Sequence, residues 1–406
     1  MLQSRRTFLD ILGATRTGHE AGEWLAARGR EDYQAPTGQR VRPRVEVPPG
    51  VKVIRISSNE NPLGPGKAAL DAILGKFPEA GRYPFNSSPG ETNLVAGIAA
   101  KFKAKPDNIV MGAGSQEILR NAVRAYASST KALVTASPSF ENCPSFARGL
   151  GYPVTEIKVD AACRLDLDGM AAAAKGAGLV FLNNPNNPTA TVHGAKAVAD
   201  FVSRVRSISP ETVILIDEAY HDYVTDPSYQ SAIPLALSTP NVFVSRTFSK
   251  AYGMAGLRIG YAIGQAETVA GLARLKMPYN VSVLSLAAAL AALNDAKHID
   301  AERARNTEVR AFTVKALEEL GCKPTDSQAN FLFVDIGRPA AAFREACAKQ
   351  GVVVGRDFPP FEKTHARISI GTMEEMKKAV TVFRSVLQPV TTTASQGAKA
   401  PKAQGR

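Results

Sequence analysis

The residues of this 406-residue chain that could do chemistry fall in four short segments, each following an apolar run that is typical of a strand. These segments are 111–117, 183–189, 217–220 and 247–260. In an open α/β sheet, ligands bind beyond the carboxyl ends of the strands. The placement of the four segments therefore predicts that they contact a ligand.

The first segment, 111–117, contains Gly112-Ala113-Gly114 and opens a helical pattern. Glycines let the backbone approach an anion, and the first turn of a helix supplies free N–H groups. The segment lacks the sixth-position glycine of a dinucleotide-binding fingerprint and the Gly-Lys-Ser/Thr of a nucleotide loop. A plain strand–helix turn is an equal alternative to an anion site.

The second segment, 183–189, contains two Asn-Pro steps, which stop both helix and strand. Side-chain amides on such a stiff loop can donate hydrogen bonds to a ligand oxygen. An ordinary turn is the alternative interpretation.

The last two segments carry charge next to apolar strands. Asp217 and Glu218 end such a strand, where a carboxylate needs a cationic partner, unless the aspartate simply caps the next turn. Lys250 and Arg258 are the two charges in the fourteen residues 247–260. This low charge density favours a buried or cleft site over a solvated surface lysine.

The elements around these segments alternate between short apolar runs and helical patterns. The runs 179–182 and 213–216 are apolar throughout, which predicts strands buried on both faces of a mainly parallel sheet in a three-layer α/β domain. A strand–helix–strand–helix pattern over 329–387 predicts a smaller α+β domain. Strands are predicted at 107–111, 131–136, 179–183, 212–216, 241–245, 259–263, 330–336 and 366–370, and helices include 115–128, 195–207, 265–276, 282–294 and 297–320.

Composition excludes several classes of protein. Apolar residues make up 45% and charged residues 21% of the chain, which excludes a chain disordered throughout. No uncharged apolar run is long enough to span a membrane. The net charge of +12 is spread along the chain without interleaved aromatics, which favours small anions over nucleic acid. The four cysteines and five histidines lack metal-ligand spacing, so no metal site is predicted.

Eight short landmarks occur in a family-specific order, and they include most of the polar residues above. Together they resemble the class I/II aminotransferases of the pyridoxal-phosphate fold-type I superfamily, and most closely the histidinol-phosphate aminotransferase family. The resemblance covers roughly residues 40–388. The landmarks are 59–64, 82–84, 186–189, 217–220, Ser249-Lys250 with 256–258, 278–281, 329–332 and 367–372.

The resemblance implies a division of the chain into a large and a small domain. Ser4-Arg5-Arg6-Thr7-Phe8-Leu9 has the form of a twin-arginine export signal, but the apolar stretch after it is short and Asp10 interrupts it. A short amphipathic arm is the alternative. The expected parts are an N-terminal arm 1–40, a segment 41–75 packing on the small domain, a cofactor-binding domain 76–295, a small C-terminal domain 296–388 and a disordered tail 389–406.

The resemblance also assigns roles at the cofactor ring. Lys250 matches the lysine that binds pyridoxal 5′-phosphate covalently and then moves a proton at the substrate α-carbon. Asp217 matches the aspartate that pairs with the pyridine nitrogen, and Tyr220 and Asn187 match donors to the phenolic oxygen of the ring. Phe140 falls where the family stacks an aromatic ring on the pyridine face.

The same resemblance implies which residues hold the cofactor phosphate and the substrate. Tyr83 matches a tyrosine that reaches the phosphate of a second subunit, which implies a homodimer. Arg367 matches the arginine that clamps the acidic end of the substrate. Arg356 could be a second guanidinium there, with a surface salt bridge to Asp357 as an equal alternative, and Asn61 is a further substrate-binding residue. The phosphate cradle would comprise Gly114, Ser115, Gln116, Thr247, Ser249 and Arg258.

The implied function is the transfer of an amino group between an amino acid or L-histidinol phosphate and 2-oxoglutarate. Leu63, Phe140 and Ala190 replace residues that are common in the family, which leaves the chemistry intact but the substrate open. An aromatic amino acid aminotransferase and a decarboxylase of a phosphorylated amino acid are the alternatives. A non-catalytic protein is disfavoured by the intact Lys250 and Asp217. The expected location is the cytoplasm, with export to the periplasm as the alternative.

Overall fold

Twelve strands occur in the computed structural model, which describes residues 47–48, 50–84 and 90–387. Seven of these strands form one sheet and five form two smaller sheets. The strands are β1 (Ile54–Ile56), β2 (Ile109–Gly112), β3 (Leu133–Ser137), β4 (Val154–Lys158), β5 (Leu179–Asn183), β6 (Val213–Asp217), β7 (Val242–Thr247), β8 (Gly260–Gly264), β9 (Lys323–Pro324), β10 (Phe331–Asp335), β11 (Val352–Val354) and β12 (His365–Ser369).

Twelve α-helices alternate with these strands in the part of the chain that the structure describes. None of them is long and apolar enough to cross a membrane. They are α1 (Lys67–Lys76), α2 (Glu91–Phe102), α3 (Ser115–Tyr126), α4 (Asn142–Gly149), α5 (Leu167–Ala173), α6 (Ala195–Ile208), α7 (Ile233–Ser238), α8 (Ala266–Ala273), α9 (Val283–Leu293), α10 (Ala296–Glu318), α11 (Ala340–Lys349) and α12 (Met373–Leu387).

The seven-stranded sheet has the strand order β2-β8-β7-β6-β5-β3-β4. Strands β3 to β7 run parallel to one another, whereas β8 is antiparallel to both β7 and β2. Successive residues of β5 enter different cores: Leu179 and Phe181 pack with α3 and α4, and Val180 and Leu182 pack with α5 and α6. This period-2 alternation produces the predicted three layers, because each face of the sheet is covered by helices.

The predicted strands of the large sheet agree with the structure to within a few residues. The edge strand β4 was not predicted, because its sequence Val-Thr-Glu-Ile-Lys is short and largely exposed rather than continuously apolar. The antiparallel direction of β8 was not predicted either. It follows from the chain between β7 and β8, where residues 248–259 contain the short 3-10 helix Ala255–Leu257 rather than a full crossover helix.

Two smaller sheets join distant parts of the sequence. Strand β1 pairs in parallel with β11, and the antiparallel strands β12, β10 and β9 form the third sheet. A separate core lies between these sheets and helices α10, α11 and α12. The boundaries predicted at 41–75, 76–295 and 296–388 stay a prediction. The arm 1–40 with its export signal and the tail 389–406 lie outside the described residues.

The fold places polar residues together at the carboxyl ends of β5, β6 and β7. Asn183, Asp217 and Ser245 are register partners across these three strands. Because the strands are parallel, the segments that follow each of them emerge at the same edge of the sheet. The candidate site forms at this edge.

Candidate active site

Lys250 lies in the loop after β7, with its amine directed to the segment before α1. Its Nζ donates to the backbone carbonyl of Ser58 at 3.3 Å and lies 5.5 Å from the centre of the Tyr220 ring. Burial, together with the positive charge of Arg367, lowers the pKa of Lys250 to about 8. Such an amine is partly neutral near physiological pH and can act as a nucleophile or a base.

The acidic residues at the end of β6, Asp217 and Glu218, have different partners. Glu218 forms a buried ion pair with Arg246, at 2.7 Å from its Nη2, and also accepts from the Ser231 hydroxyl. The predicted cationic partner therefore exists for Glu218. Asp217 accepts a hydrogen bond from the Ser245 hydroxyl, and burial raises its pKa to about 6. Asp217 is thus a buried carboxylate that a cationic group beside it would stabilise.

Tyr220 has a buried phenol group that two asparagines contact. Asn59 Nδ2 donates to the phenolic oxygen at 3.1 Å, and Asn187 Nδ2 donates at 3.4 Å. The ring packs edge-on against Phe331, with 4.9 Å between ring centres. Burial raises the pKa of Tyr220 to about 12, so the hydroxyl keeps its proton at neutral pH.

The loop before α3 and the loop before β8 meet closely. Gly114 has a φ of +74°, and a Cβ built on it would lie 2.1 Å from Nη2 of Arg258. A Cβ on Gly260 would lie 2.6 Å from the backbone nitrogen of Ser115. Arg258 also donates to the Ser249 hydroxyl at 3.2 Å. The N-terminus of α3, a guanidinium and a hydroxyl therefore converge on one small volume, which suits an anion.

Three further predicted cofactor residues lie on or near these elements. The Thr247 hydroxyl accepts from the backbone N–H of Ser249 at 3.1 Å, and both residues are buried. Gln116 occupies the first turn of α3 with its side chain exposed, and Phe140 is half-buried in the loop that leads to α4. Apart from Tyr83, the predicted cofactor residues thus lie at the carboxyl edge of the large sheet.

Arg367 enters the site from β12 of the third sheet. Its guanidinium donates to Asn187 Oδ1 at 2.8 Å and to the Ser57 carbonyl at 2.6 Å, and it lies 4.8 Å from the centre of the Phe358 ring. It acts on the pKa of both Lys250 and Tyr220. A buried cation therefore stands close to the reactive amine, where it could bind an acidic group of a substrate.

The predicted alternative for Arg356, a salt bridge to Asp357, is wrong. Arg356 forms an ion pair with Glu141 and lies 4.1 Å from the centre of the Phe358 ring, whereas the Asp357 carboxylate pairs with Arg344. Nη1 of Arg356 donates to the backbone carbonyl of Asp357 at 2.8 Å rather than to its carboxylate. Arg356 and Arg367 instead share the Phe358 ring, which places both guanidinium groups in one region.

Asn61 and Tyr83 lie at the margins of the site. The Asn61 amide donates to the Ala251 carbonyl at 2.9 Å and accepts from the Leu63 N–H, so in this conformation it fastens the segment before α1 to the loop of Lys250. Tyr83 is 68% exposed and its ring contacts the Tyr279 ring at 5.1 Å. Neither contact tests the role predicted for the residue.

Three contributors carried no assigned role in the sequence analysis: Asn59, Ser369 and Glu141. The first two lie within the landmarks 59–64 and 367–372, so the resemblance marked their positions without indicating a contact. Ser369 donates to Asn59 Oδ1 at 2.7 Å, across 310 residues of sequence. No local pattern could reveal a pairing at that separation.

The site fits a phosphorylated, cationic ring. The anion cradle at Gly114 and Arg258 suits a phosphate, and the buried carboxylate of Asp217 suits a protonated ring nitrogen. Among the described residues, no group of three His, Cys, Asp or Glu side chains could hold a metal ion. The fold and site therefore fit an α/β enzyme that binds a phosphorylated organic cofactor.

Comparison with known proteins gives the family. Residues 51–383 match the model of the class I and II aminotransferases, and the chain belongs to that family. It is therefore an aminotransferase of fold type I that depends on pyridoxal 5′-phosphate, which confirms the predicted fold class, enzyme class and cofactor.

Individual relatives agree with this assignment. The chain is 36% identical to a histidinol-phosphate aminotransferase of Moorella thermoacetica over 83% of this chain and 86% of the relative. It is 35% identical to one of Symbiobacterium thermophilum, over 82% and 91%. A solved histidinol-phosphate aminotransferase of Sinorhizobium meliloti, in complex with pyridoxal-5′-phosphate, superposes with a TM-score of 0.76 at 27% identity, over 83% of this chain and 91% of that one.

Proposed function

We propose that this enzyme transfers the amino group of L-histidinol phosphate to 2-oxoglutarate. The observation that carries the proposal is the position of Arg367, a buried guanidinium close enough to Lys250 to lower the pKa of its amine. A phosphate or a carboxylate held there would place the substrate amine beside Lys250. The relatives that carry the name histidinol-phosphate aminotransferase support this substrate.

Lys250 is proposed to hold the cofactor covalently and then to carry the proton at the substrate α-carbon. When bound, pyridoxal phosphate supplies an electron-accepting ring for the bond that is broken at that carbon. Asp217 would keep the ring nitrogen protonated, because a buried carboxylate favours a cation beside it. The lowered pKa of Lys250 leaves part of the amine free to accept a proton near pH 8.

The phosphate cradle is proposed to combine backbone and side-chain donors. Gly114 lies so close to the Arg258 guanidinium that a side chain on Gly114 would collide with it. Phe140 would stack on the ring, and Asn61 would contact the substrate once the loop of Lys250 adjusts. The cradle residues in this proposal are Gly114, Ser115, Gln116, Thr247, Ser249 and Arg258.

Arg356 is proposed to assist Arg367 at the acidic end of the substrate. Both guanidinium groups lie against Phe358, at 4.1 and 4.8 Å from its ring centre. Two guanidinium groups suit a phosphate dianion better than one, because each can form charge-assisted hydrogen bonds to it.

The active unit is proposed to be a homodimer in which Tyr83 reaches the cofactor phosphate of the second copy. Of the eleven exposed large apolar side chains among the described residues, nine lie in 51–83 and 277–279. Two of them, Tyr83 and Tyr279, have their ring centres 5.1 Å apart, and contiguous exposed apolar side chains commonly mark an interface. We further expect the two-domain division given above and a location in the cytoplasm.

A spectral titration of the holoenzyme tests the substrate. L-histidinol phosphate should shift the visible absorbance of the cofactor at lower concentration than aromatic or acidic amino acids do, and Lys250→Ala should show no turnover with any of them. A shift with ordinary amino acids alone would reject histidinol phosphate as the donor. Release of carbon dioxide without a 2-oxo acid would identify a decarboxylase instead.

A further inference from the structure

The phenolic oxygen of Tyr220 receives two amide donors at once. Asn59 Nδ2 lies at 3.1 Å and Asn187 Nδ2 at 3.4 Å from it. A phenol oxygen can accept two hydrogen bonds and has one proton to donate. With both acceptor directions occupied by N–H groups, the phenolic proton must point toward a third group.

Two residues of strand β12 determine the orientation of the side-chain amides of Asn59 and Asn187. Arg367 and Ser369 lie two residues apart on β12 and therefore project from the same face. Arg367 donates to Asn187 Oδ1 at 2.8 Å, and because a guanidinium can only donate, the amide nitrogen of Asn187 must face Tyr220. Ser369 donates to Asn59 Oδ1 at 2.7 Å, which turns the nitrogen of Asn59 toward the same phenol.

The serine has its proton available for this purpose. The backbone N–H of Asn59 donates to the Ser369 hydroxyl oxygen at 2.9 Å, so the hydroxyl proton is left to bind Asn59 Oδ1. The Asn59 backbone has a φ of +56°, and its carbonyl accepts from Asn330 Nδ2 at 3.1 Å. Asn59, Ser369 and Asn330 are all buried, so the arrangement is sheltered from competing water.

We propose that Asn59 is a positioning residue, held by Ser369, which acts with Asn187 to direct the phenolic proton of Tyr220 toward the bound cofactor. This proposal rests on the proposed function and on the role that the family resemblance implies for Tyr220, which is to donate to the phenolic oxygen of the cofactor ring. Asn59 would not itself need to touch the cofactor. Its effect is that the Tyr220 hydroxyl donates its hydrogen bond to the cofactor ring rather than to a neighbouring protein group.

The substitution Asn59→Asp separates this role from simple packing. Aspartate has the same size, but its carboxylate only accepts hydrogen bonds. Ser369 can still donate to this carboxylate. Tyr220 would now donate its proton to residue 59 and would no longer donate to the cofactor. The variant should therefore behave like Tyr220→Phe at the cofactor, even though the Tyr220 hydroxyl is present.

The readout is the pKa of the bound cofactor, measured from the pH dependence of the visible absorbance of the holoenzyme without substrate. Tyr220→Phe should raise this pKa by about one unit or more, because one hydrogen bond to the charged ring oxygen is lost. Asn59→Asp should reproduce at least half of that shift in the same direction. Ser369→Ala, which frees the Asn59 amide to rotate, should give a smaller shift of the same sign.

Asn241→Asp is the matched control. Asn241 also has a positive φ, of 58°, and its amide donates to the Pro210 carbonyl away from the site. This variant should titrate as the wild type does. If Tyr220→Phe shifts the pKa while Asn59→Asp and Ser369→Ala do not, the positioning role is refuted. If Tyr220→Phe itself causes no shift, the role of Tyr220 in the proposed function fails first.

Discussion

The two adjacent carboxylates at the end of β6 differ in their roles because they have different hydrogen-bonding and charged partners. Glu218 is compensated by Arg246, and Asp217 receives a hydroxyl hydrogen bond from Ser245. The sequence predicted that a carboxylate after this buried strand needs a cation, and it assigned Asp217 to the site. It could not divide the roles, because Arg246 and Ser245 both come from the neighbouring strand β7.

The raised pKa of Asp217 predicts a stability that depends on pH. A carboxyl whose pKa is about 6 in the folded protein, against a usual value of 3.8, binds its proton more tightly when folded. Its favourable contribution is therefore complete below about pH 4 and is lost as the pH rises through about 6. Asp217→Asn should stabilise the cofactor-free protein at pH 8 by up to about 3 kcal/mol and change little near pH 4.

Denaturant unfolding of the cofactor-free protein at pH 4, 6 and 8 checks this prediction. Asp71→Asn, on the exposed side of α1, is the control and should change the free energy of unfolding by less than about 0.5 kcal/mol. The gain for Asp217→Asn should be accompanied by a loss of turnover, as expected of a site that is destabilised for function. A variant less stable than wild type at pH 8 would contradict the argument.

At the scale of elements, apolar periodicity was sufficient for most of the large sheet. Strands β5 and β6 are buried on both faces and were predicted from uninterrupted apolar runs. Strands β1 and β11 were missed because each has three residues and is defined by pairing with the other, about 300 residues away. The contact of Arg356 with Glu141 was missed for the same reason.

The turn between β2 and α3 carries a prediction of its own. Gly114→Ala would place a methyl group 2.1 Å from Arg258 Nη2 and would keep a φ of +74° that alanine disfavours. The guanidinium must move, so the cofactor should dissociate at least about tenfold more readily, since a charge-assisted hydrogen bond to its phosphate is weakened.

Gly176→Ala is the matched control for this turn. Gly176 has a φ of +71°, and a Cβ there meets nothing within 4 Å. Both variants therefore carry a similar backbone penalty, and only Gly114→Ala has the steric conflict. Fluorescence titration of cofactor-free protein with pyridoxal phosphate should show weaker binding for Gly114→Ala alone. If the two variants bind pyridoxal phosphate with equal affinity, the proposed role of Gly114 in the cradle is refuted.

At the scale of the whole molecule, most of the exposed large apolar side chains among the described residues belong to the segments 51–83 and 277–279, which we propose contact a second copy. Leu74 on α1 is 64% exposed and Met277 is 69% exposed. Leu74→Glu should convert a dimer of twice 43.2 kDa into a monomer at micromolar concentration, because a charge would be buried unpaired at the interface. Light scattering after size-exclusion chromatography measures the mass directly.

Ile208→Glu is the control for the dimer prediction. Ile208 ends α6 and is 43% exposed, but it lies outside the two segments that contain most of the exposed apolar residues. It should remain dimeric and keep its cofactor affinity. A monomeric wild-type protein, or a dimer that survives Leu74→Glu, would contradict this choice of interface and the role proposed for Tyr83.

The hydrogen bond between Asn59 and Ser369 determines when, during synthesis, the site becomes complete. The two residues are 310 positions apart, and the strand that contains Ser369 is the last strand of the described chain. A nascent chain on the ribosome can complete the large sheet well before β12 has emerged. Until then both amides beside Tyr220 lack the groups that orient them. A shortened translation product ending before β12 could therefore fold in part, yet it would lack a directed phenolic proton.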